Sequence, residues 1–494
     1  MGNAESLTKQ TLILMIGKTG GLMISFILPL IIVRLTDQEG FGTYKQFFLI
    51  FSTLFLLEQL GMTQSLYYFV PGNERSDVFV TQSFLFLLTM GLFSAFSLYF
   101  LGPKLAKLLN NPMLSQYAPL LAAYLLFQLG SSLLEVLTIC EGRIKLASLF
   151  FFLTELFKSL FMLVPLYFSG TLLALFWGAV GFALLRFMAT TLYIGKSLQS
   201  GLKKVTRESL RCHLSYAFPL GMSMVFFVVS LDLHSYVVSY NFPPEVYAIF
   251  AVGIFYPPIV EVIESPIIEP MFVSMVKFAK SGDSRAVNGV WFSSIRKISL
   301  VFFPVVAFSA VEARQIITVL FTEAYLASVP IFMIAIFRVF FAVFIPDNVI
   351  KTYGQPHYLL VVNIISLLCY GAALFLFIHT FGLLGAAFAM IINEIVLKTL
   401  LVNRARKILE LPLSACLPWS HLIRCFVIAF ISTAVVYLYN QIFSTITLTN
   451  TLIALLIYLF VYSAVVWKSS LVTSEEKDAI LVYLRQKRLL PSNG

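Results

Sequence analysis

Charge is scarce in this 494-residue sequence: Asp, Glu, Lys and Arg together make up 12% of it and hydrophobic residues 59%. Soluble globular domains carry roughly 25% charged residues, so a water-exposed fold of this size is excluded. Cysteine is scarce too. The five cysteines, at 140, 212, 369, 416 and 425, form no CxxC pair, and three lie in apolar or interfacial segments where a small hydrophobe suffices, so neither disulfides nor a metal site is expected. The five histidines are scattered. External loops reach only about fifteen residues, and no His/Asp/Glu cluster marks a membrane face, which argues against an enzyme. The first apolar stretch carries Lys18 and continues to Arg34 without an Ala-x-Ala-type cleavage site, so no cleaved signal peptide is expected. Asn-x-Ser/Thr acceptors are absent, in keeping with a bacterial inner membrane.

What the chain has in abundance is long apolar runs. A helix needs about 20 mostly apolar residues to cross the hydrocarbon core, and polar interruptions divide the chain into fourteen candidate spans. They lie at roughly 12–34, 43–69, 79–101, 116–140, 147–169, 171–195, 214–240, 246–276, 290–311, 326–350, 357–379, 382–402, 421–440 and 449–467. The even-numbered connections and both ends hold the large majority of the 34 Lys and Arg, so both termini are expected in the cytoplasm. That distribution accounts for the basic balance of +10 without any nucleic-acid partner.

The most basic internal connection, KSLQSGLKKVTRESLR, divides the first twelve spans six and six. The expected architecture is all-α and polytopic: two pseudo-symmetric six-helix lobes, 1–196 and 214–404, around a central cavity. A basic linker at 197–213 joins them, two further helices occupy 405–468, and a cytoplasmic tail covers 469–494. Internal repetition supports the division. A shift of 212 lays LLEVLTICEGRIK over FIPDNVIKTYGQPH and pairs Glu135 with Asp347 and Gly142 with Gly354. A shift of 211 lays GTLLALFWGAV over FGLLGAAFAMI and leaves Arg186 and Lys398 one position apart. A shift of 205 lays VRLTDQEGFGTYKQFFLIF over VSYNFPPEVYAIFAVGIFY, so both stretches read as elbows, with Gly40 and Gly42 expected to permit the first turn.

The stretches IIVRLTDQEGFGTY, LEQLGMTQSLYYFVPG, LSYAFPLGMSM, EGRIKLASLFFF and YGQPHYLLVVN, in this order, resemble the polysaccharide transporter and O-antigen-type oligosaccharide flippase family of the multidrug, oligosaccharidyl-lipid and polysaccharide exporter superfamily. The resemblance covers roughly residues 8 to 404, and the last two helices match its fourteen-helix members. One departure is Tyr247-Ala248-Ile249, where a Gly-x-Tyr is usual. The resemblance implies translocation of a lipid-linked oligosaccharide, typically on undecaprenyl pyrophosphate, to the outer leaflet by alternating access. It also implies membrane lipids and other polysaccharide assembly proteins as partners, lipopolysaccharide or related surface glycans as products, and no cofactor beyond a coupling H+ or Na+.

A pyrophosphate crossing a low-dielectric core calls for cations in a water-filled cavity. Five basic residues lie inside the spans: Lys18, Lys158, Arg186, Arg338 and Lys398. Lys18 sits about six residues, roughly 9 Å, into its helix beside Gly17, Gly21 and Ser25, where a neighbouring backbone can approach or the lysine can snorkel. Lys158 has Glu155 at i−3, so a structural pair competes with ligand binding. Arg338, about twelve residues from either end of its span, has no acid at i±3 or i±4 and is the leading substrate cation. Coupling or gating acids are Glu58, Asp232, Glu261, Glu264, Glu135 and Asp347, of which the last two suit a cytoplasmic gate. Glu261 and Glu264 share a face of a span holding Pro257, Pro258, Pro266 and Pro270, which is expected to kink or break. A drug or cation antiporter of the same fold is the alternative, favouring an acidic cavity; deep Arg338 counts against it.

Overall fold

A computed structural model describes residues 2–443, 445–469, 471–472 and 477–478. The described residues are helical and contain no strand. Most of the tail expected at 469–494 lies outside them. The chain divides into two compact units, residues 1–252 with 374–386, and residues 253–373 with 387–494.

The first unit contains α1 (Gly2–Leu35), α2 (Gln38–Glu58), α3 (Met62–Phe69), α4 (Ser76–Leu108), α5 (Met113–Ser131), α6 (Leu133–Cys140), α7 (Ile144–Ser169), α8 (Leu172–Leu202) and α9 (Arg207–Asn241). The helix α10 (Pro244–Gly253) ends at its border. The elbow between α1 and α2 is made by Asp37, whose Oδ1 accepts from the Gly40 amide at 2.8 Å and caps α2. Gly40 and Gly42 are therefore not turn residues, as their spacing had suggested; both are buried inside α2. Gly42 is small because the Pro244 carbonyl lies where a β-carbon would stand, so the two elbows related by the repeat pack on each other.

The second expected span is not continuous. Leu60 (φ 41°) and Gly61 (φ 76°) break it between α2 and α3. The backbone of α9 from Ala217 to Gly221 fills the break: a β-carbon on Gly61 would strike the Ala217 carbonyl, and one on Gly221 would strike Leu60. Thus LEQLGMTQSLYYFVPG and LSYAFPLGMSM are packing partners. A second close approach joins α1 to α7, where Gly17 and Gly21 lie against the Ser148 and Phe151 carbonyls, as the small-residue spacing predicted.

The connection at 197–213 is itself mostly helical: α8 runs to Leu202 and Thr206 caps α9 in a reciprocal pair with Ser209. Contacts divide the chain at Val252–Gly253 instead, because α9 packs on α2, α3 and α4 along its length.

The second unit contains α11 (Ile259–Lys280), α12 (Ser284–Val311), α13 (Ala313–Phe321), a 3-10 turn (Glu323–Ser328), α14 (Val329–Ala335), α15 (Arg338–Ala342), α16 (Pro346–Thr352), most of α17 (Pro356–Phe381) and of α18 (Leu383–Ile408), α19 (Trp419–Ile442) and α20 (Leu448–Lys468). Phe308, Val436, Ala454 and Tyr458 form a core where α12, α19 and α20 meet. Ile350, Val362 and Leu401 do the same for α16, α17 and α18.

Thirteen of the described helical segments are long and apolar enough to cross a membrane. The fourteenth, α11, has the length at 22 residues but carries Glu261, Glu264 and Glu269. Its span is broken as expected, at residues 254–258 beside Pro257 and Pro258, whereas the helix runs on through Pro266 and Pro270. On α4, Leu92, Phe93, Phe96, Tyr99 and Phe100 are exposed in one stretch, which suits a lipid-facing surface.

The repeat becomes sharper in the structure. Gly142 and Gly354 both take left-handed conformations (φ 72° and 67°) after the short helices α6 and α16. Gly170 and Gly382 do the same (φ 65° and 60°) after α7 and α17. All four obey the shift of 212, and in that register Arg186 falls opposite Lys398 with no offset.

Candidate functional site

In the first unit four of the charged side chains inside the membrane are paired, Arg186 with Glu135 and Lys158 with Glu155. Arg186 on α8 grips both oxygens of Glu135 on α6, at 2.8 and 2.7 Å, and donates a third bond to Gln128 Oε1 on α5 at 2.7 Å. Thr154 on α7 donates to Glu135 Oε1 at 3.2 Å, and Gln128 donates to the Tyr124 hydroxyl at 3.1 Å. Four helices meet on this bidentate pair, whose side chains are 14% and 8% exposed. An unsatisfied charge at the centre of a span costs about 3 kcal/mol, so the pair answers the demand of each member. Lys158 bonds Glu155 within α7. Lys18 is exposed and stands 5.3 Å from the Phe151 ring.

Glu58 does not lie in the middle of a helix. It is the last residue of α2, at the break, where one carboxylate oxygen accepts from Ser94 and the other is buried without a hydrogen-bond partner. Asp232 on α9 accepts from Thr53 at 2.9 Å. Nearer the α1–α2 elbow, buried Gln46 bonds Leu109, Asn111 and Ser239, at 3.0, 2.6 and 2.5 Å. At the opposite end of α9, His213 is bonded to Ser65 at 2.7 Å and Gln82 at 3.0 Å.

The second unit gathers the remaining predicted residues. Its tenth span, expected as one helix, is divided into α14, α15 and α16, and Arg338 is the first residue of α15. Helix breaks free backbone polar groups that only a cavity or neighbouring groups can satisfy. The Arg338 guanidinium lies 5.6 Å from the ring of Tyr256, which stands in the break between α10 and α11. Two discontinuous spans thus meet through a cation and an aromatic face. Tyr256 and Tyr370 both lie within electrostatic reach of Arg338 and Glu394. Glu261 and Glu264 reach Tyr256 as well, and Lys398 and Asp347 act on Glu264. Asp347 also bonds Lys351 one turn along α16, at 2.7 Å.

The second unit also holds a crevice of about 390 Å³ lined only by apolar side chains, among them Phe337, Phe340, Phe341, Phe388 and Phe426. Among the described residues, no group of three His, Cys, Asp or Glu could hold a metal ion.

Four participants escaped the reading of the sequence. Glu394 stands four residues before Lys398 in INEIVLK, an intramembrane acid that its depth alone could have flagged. Tyr256 and Tyr370 are hidden among 22 tyrosines. Gln128 carries no charge to attract notice. The five cations separate into those with a short-range acid, Lys158 and Arg186, and three placed otherwise: Lys18 on the Phe151 face, Arg338 on the Tyr256 face, and Lys398 near Glu264.

The comparisons with known proteins agree with this architecture. A solved structure of the lipid II flippase MurJ in an inward closed conformation is 14% identical, covers 92% of this chain and 97% of its own, and has a TM-score of 0.68. An inward-facing multidrug resistance transporter of the MATE family, in the MOP superfamily, is 16% identical over 81% of this chain and 94% of its own, with a TM-score of 0.57. A MOP superfamily transporter from Pyrococcus furiosus, described as having a binding pocket of reverse polarity, is 16% identical over 82% and 95%, with a TM-score of 0.56. At these identities the likeness establishes a shared fold. No curated protein sequence matches. The family model described as "Polysaccharide biosynthesis protein" matches residues 31–330, more than half of the sequence. The chain belongs to this polysaccharide biosynthesis protein family.

Proposed function

We propose that the protein is a flippase that moves a lipid-linked oligosaccharide, carried on a polyprenyl pyrophosphate, from the cytoplasmic to the outer leaflet of a bacterial inner membrane by alternating access. One observation carries the reading most directly: Arg338 over Tyr256, where two broken spans meet. The guanidinium suits a phosphate oxygen and the tyrosine face suits a sugar ring. Membership of a polysaccharide biosynthesis family supports the same substrate class. Lys18, Lys158, Arg186 and Lys398 are further cations for the anion's path, with Arg186 exchangeable only if its Glu135 pair opens.

The Glu135–Arg186 pair and its counterpart residues Asp347 and Lys398 serve as gate elements in this scheme. Glu58, Asp232, Glu261 and Glu264 serve as coupling or gating acids for H+ or Na+. A second reading, cation antiport, is favoured by the four carboxylates Glu261, Glu264, Glu394 and Asp347 grouped with Arg338, Lys398 and Lys351 in the second unit. The native mass spectrum of the purified protein separates the two. Retention of a polyprenyl pyrophosphate sugar supports the flippase; retention of bulk phospholipid alone, with drug-dependent proton release, supports the antiporter.

A further inference from the structure

The helices α12 and α19 carry basic residues at one level. On α12, Arg296 and Lys297 precede the apolar run from Ile298; on α19, Arg424 precedes the run from Cys425. Their register is fixed one turn farther in. The Cys425 thiol lies 3.4 Å from the Ser299 carbonyl and 3.4 Å from the Tyr462 hydroxyl, and that hydroxyl donates to the Leu300 carbonyl at 3.0 Å. The consequence is a crevice of about 630 Å³ whose lining includes Arg296, Lys297, Arg424, Ser293, Trp419 and His421. No carboxylate occurs among its described lining residues. The volume falls in the range of ligand sites, and Arg296, Lys297 and Arg424 stand at exposed positions.

A second crevice, about 550 Å³ between α11 and α12, shares Ser293 and Lys297 with the first. The rest of it is mostly apolar, with Ile267, Pro270, Met271 and Phe278 on its wall. The two crevices meet at Lys297, and the second extends from there toward the start of α12. Trp419, 44% exposed, marks this level as the membrane interface, where indole rings concentrate. Basic pockets between membrane helices at that level suit anionic lipid headgroups.

We infer that the first crevice is a binding site for the headgroup of an anionic membrane phospholipid, its phosphate held by Arg296, Lys297 and Arg424 and its acyl chains in the surrounding bilayer. The site is separate from Arg338 and does not depend on which substrate is carried. A lipid held there ties α19, and through it α20, to α12. Replacing any one of the three cations weakens binding, while neutral phosphatidylcholine is not selected.

The test uses the full chain in phosphatidylcholine nanodiscs titrated with phosphatidylglycerol, with Tm and lipids retained in native mass spectra as readouts. In the wild type, Tm rises with the phosphatidylglycerol fraction and the anionic lipid is retained. In R296Q/K297Q/R424Q the half-saturating fraction rises at least tenfold, and Tm in pure phosphatidylcholine is unchanged. The single variants Lys297→Gln and Arg424→Gln, both at exposed positions, give the same direction if the triple variant does not fold. An equal response of wild type and variants overturns the site. Full reproduction of the Tm rise by inorganic phosphate in phosphatidylcholine discs assigns the crevice to free phosphate and overturns the lipid.

Discussion

Gln46 on α2 donates to the hydroxyl of Ser239 on α9 at 2.5 Å, and both side chains are fully buried. The same Gln46 amide donates to the Leu109 carbonyl, and its oxygen accepts from Asn111, whose amide also bonds Thr43 at 2.8 Å. One side chain therefore holds the ends of α2, α4 and α9 together. Gln46→Leu leaves buried polar groups without partners, each worth about 1–3 kcal/mol. The expected result is a marked fall in Tm, with Ser239→Ala causing a smaller one; thermal unfolding in detergent measures both.

The glycines that seat α9 against the α2–α3 break make a second prediction. Gly221→Ala forces a methyl group into the Leu60 backbone and is expected to cost about 1–3 kcal/mol by overpacking. Gly61→Ala adds the strain of a positive φ and should cost more. Gly289→Ala, with open space around its β-carbon position, is the control and should leave Tm unchanged within a degree or so.

The Arg186–Glu135 pair predicts non-additivity. Removing either charge alone, as Arg186→Met or Glu135→Leu, strands its partner and is expected to cost about 3–5 kcal/mol. The double replacement should recover most of that loss, giving a coupling energy of about 1–3 kcal/mol in a double-mutant cycle. Additive losses would show that the two groups do not act as a pair.

Glu312, at the end of α12 and outside the spans, is fully buried. Burial pushes its carboxyl pKa up, and the Asn440 amide, donating at 2.5 Å, offsets part of the rise. The folded state then binds the proton more tightly than the unfolded chain. Stability from this group is fully present below the ordinary glutamate range and is lost as pH rises through the folded-state value. Glu312→Gln should therefore raise Tm more at pH 8 than at pH 4, and calorimetry at several pH values reads the difference. A shift independent of pH would contradict the assignment.

Much of the architecture was legible because the bilayer imposes it. Apolar run lengths gave the spans, and the spacing of Glu135 and Gly142 against Asp347 and Gly354 gave the repeat, whereas the match of Gly170 to Gly382 came from their shared backbone conformation. The interruptions at Leu60–Gly61 and around Arg338 were not legible: the runs stay apolar across them, and hydropathy does not register a left-handed residue or a lost helical turn. Ion pairs were legible only within a helix. Lys158 with Glu155 followed from i, i+3 spacing, whereas Arg186 and Glu135 are 51 positions apart and met only once α6 and α8 were packed.

Arg338 carries the central claim, because it joins the two broken spans in the second unit to the chemistry of an anionic headgroup. The direct measurement is transbilayer movement of a polyprenyl-pyrophosphate oligosaccharide in proteoliposomes, read by its accessibility to a glycan-modifying enzyme added outside. Wild-type protein is expected to expose the lipid in a protein-dependent manner. Arg338→Ala should abolish that exposure at normal folded yield, with Arg338→Lys retaining part of it. Exposure by Arg338→Ala equal to wild type, or none by the wild type, would contradict the account.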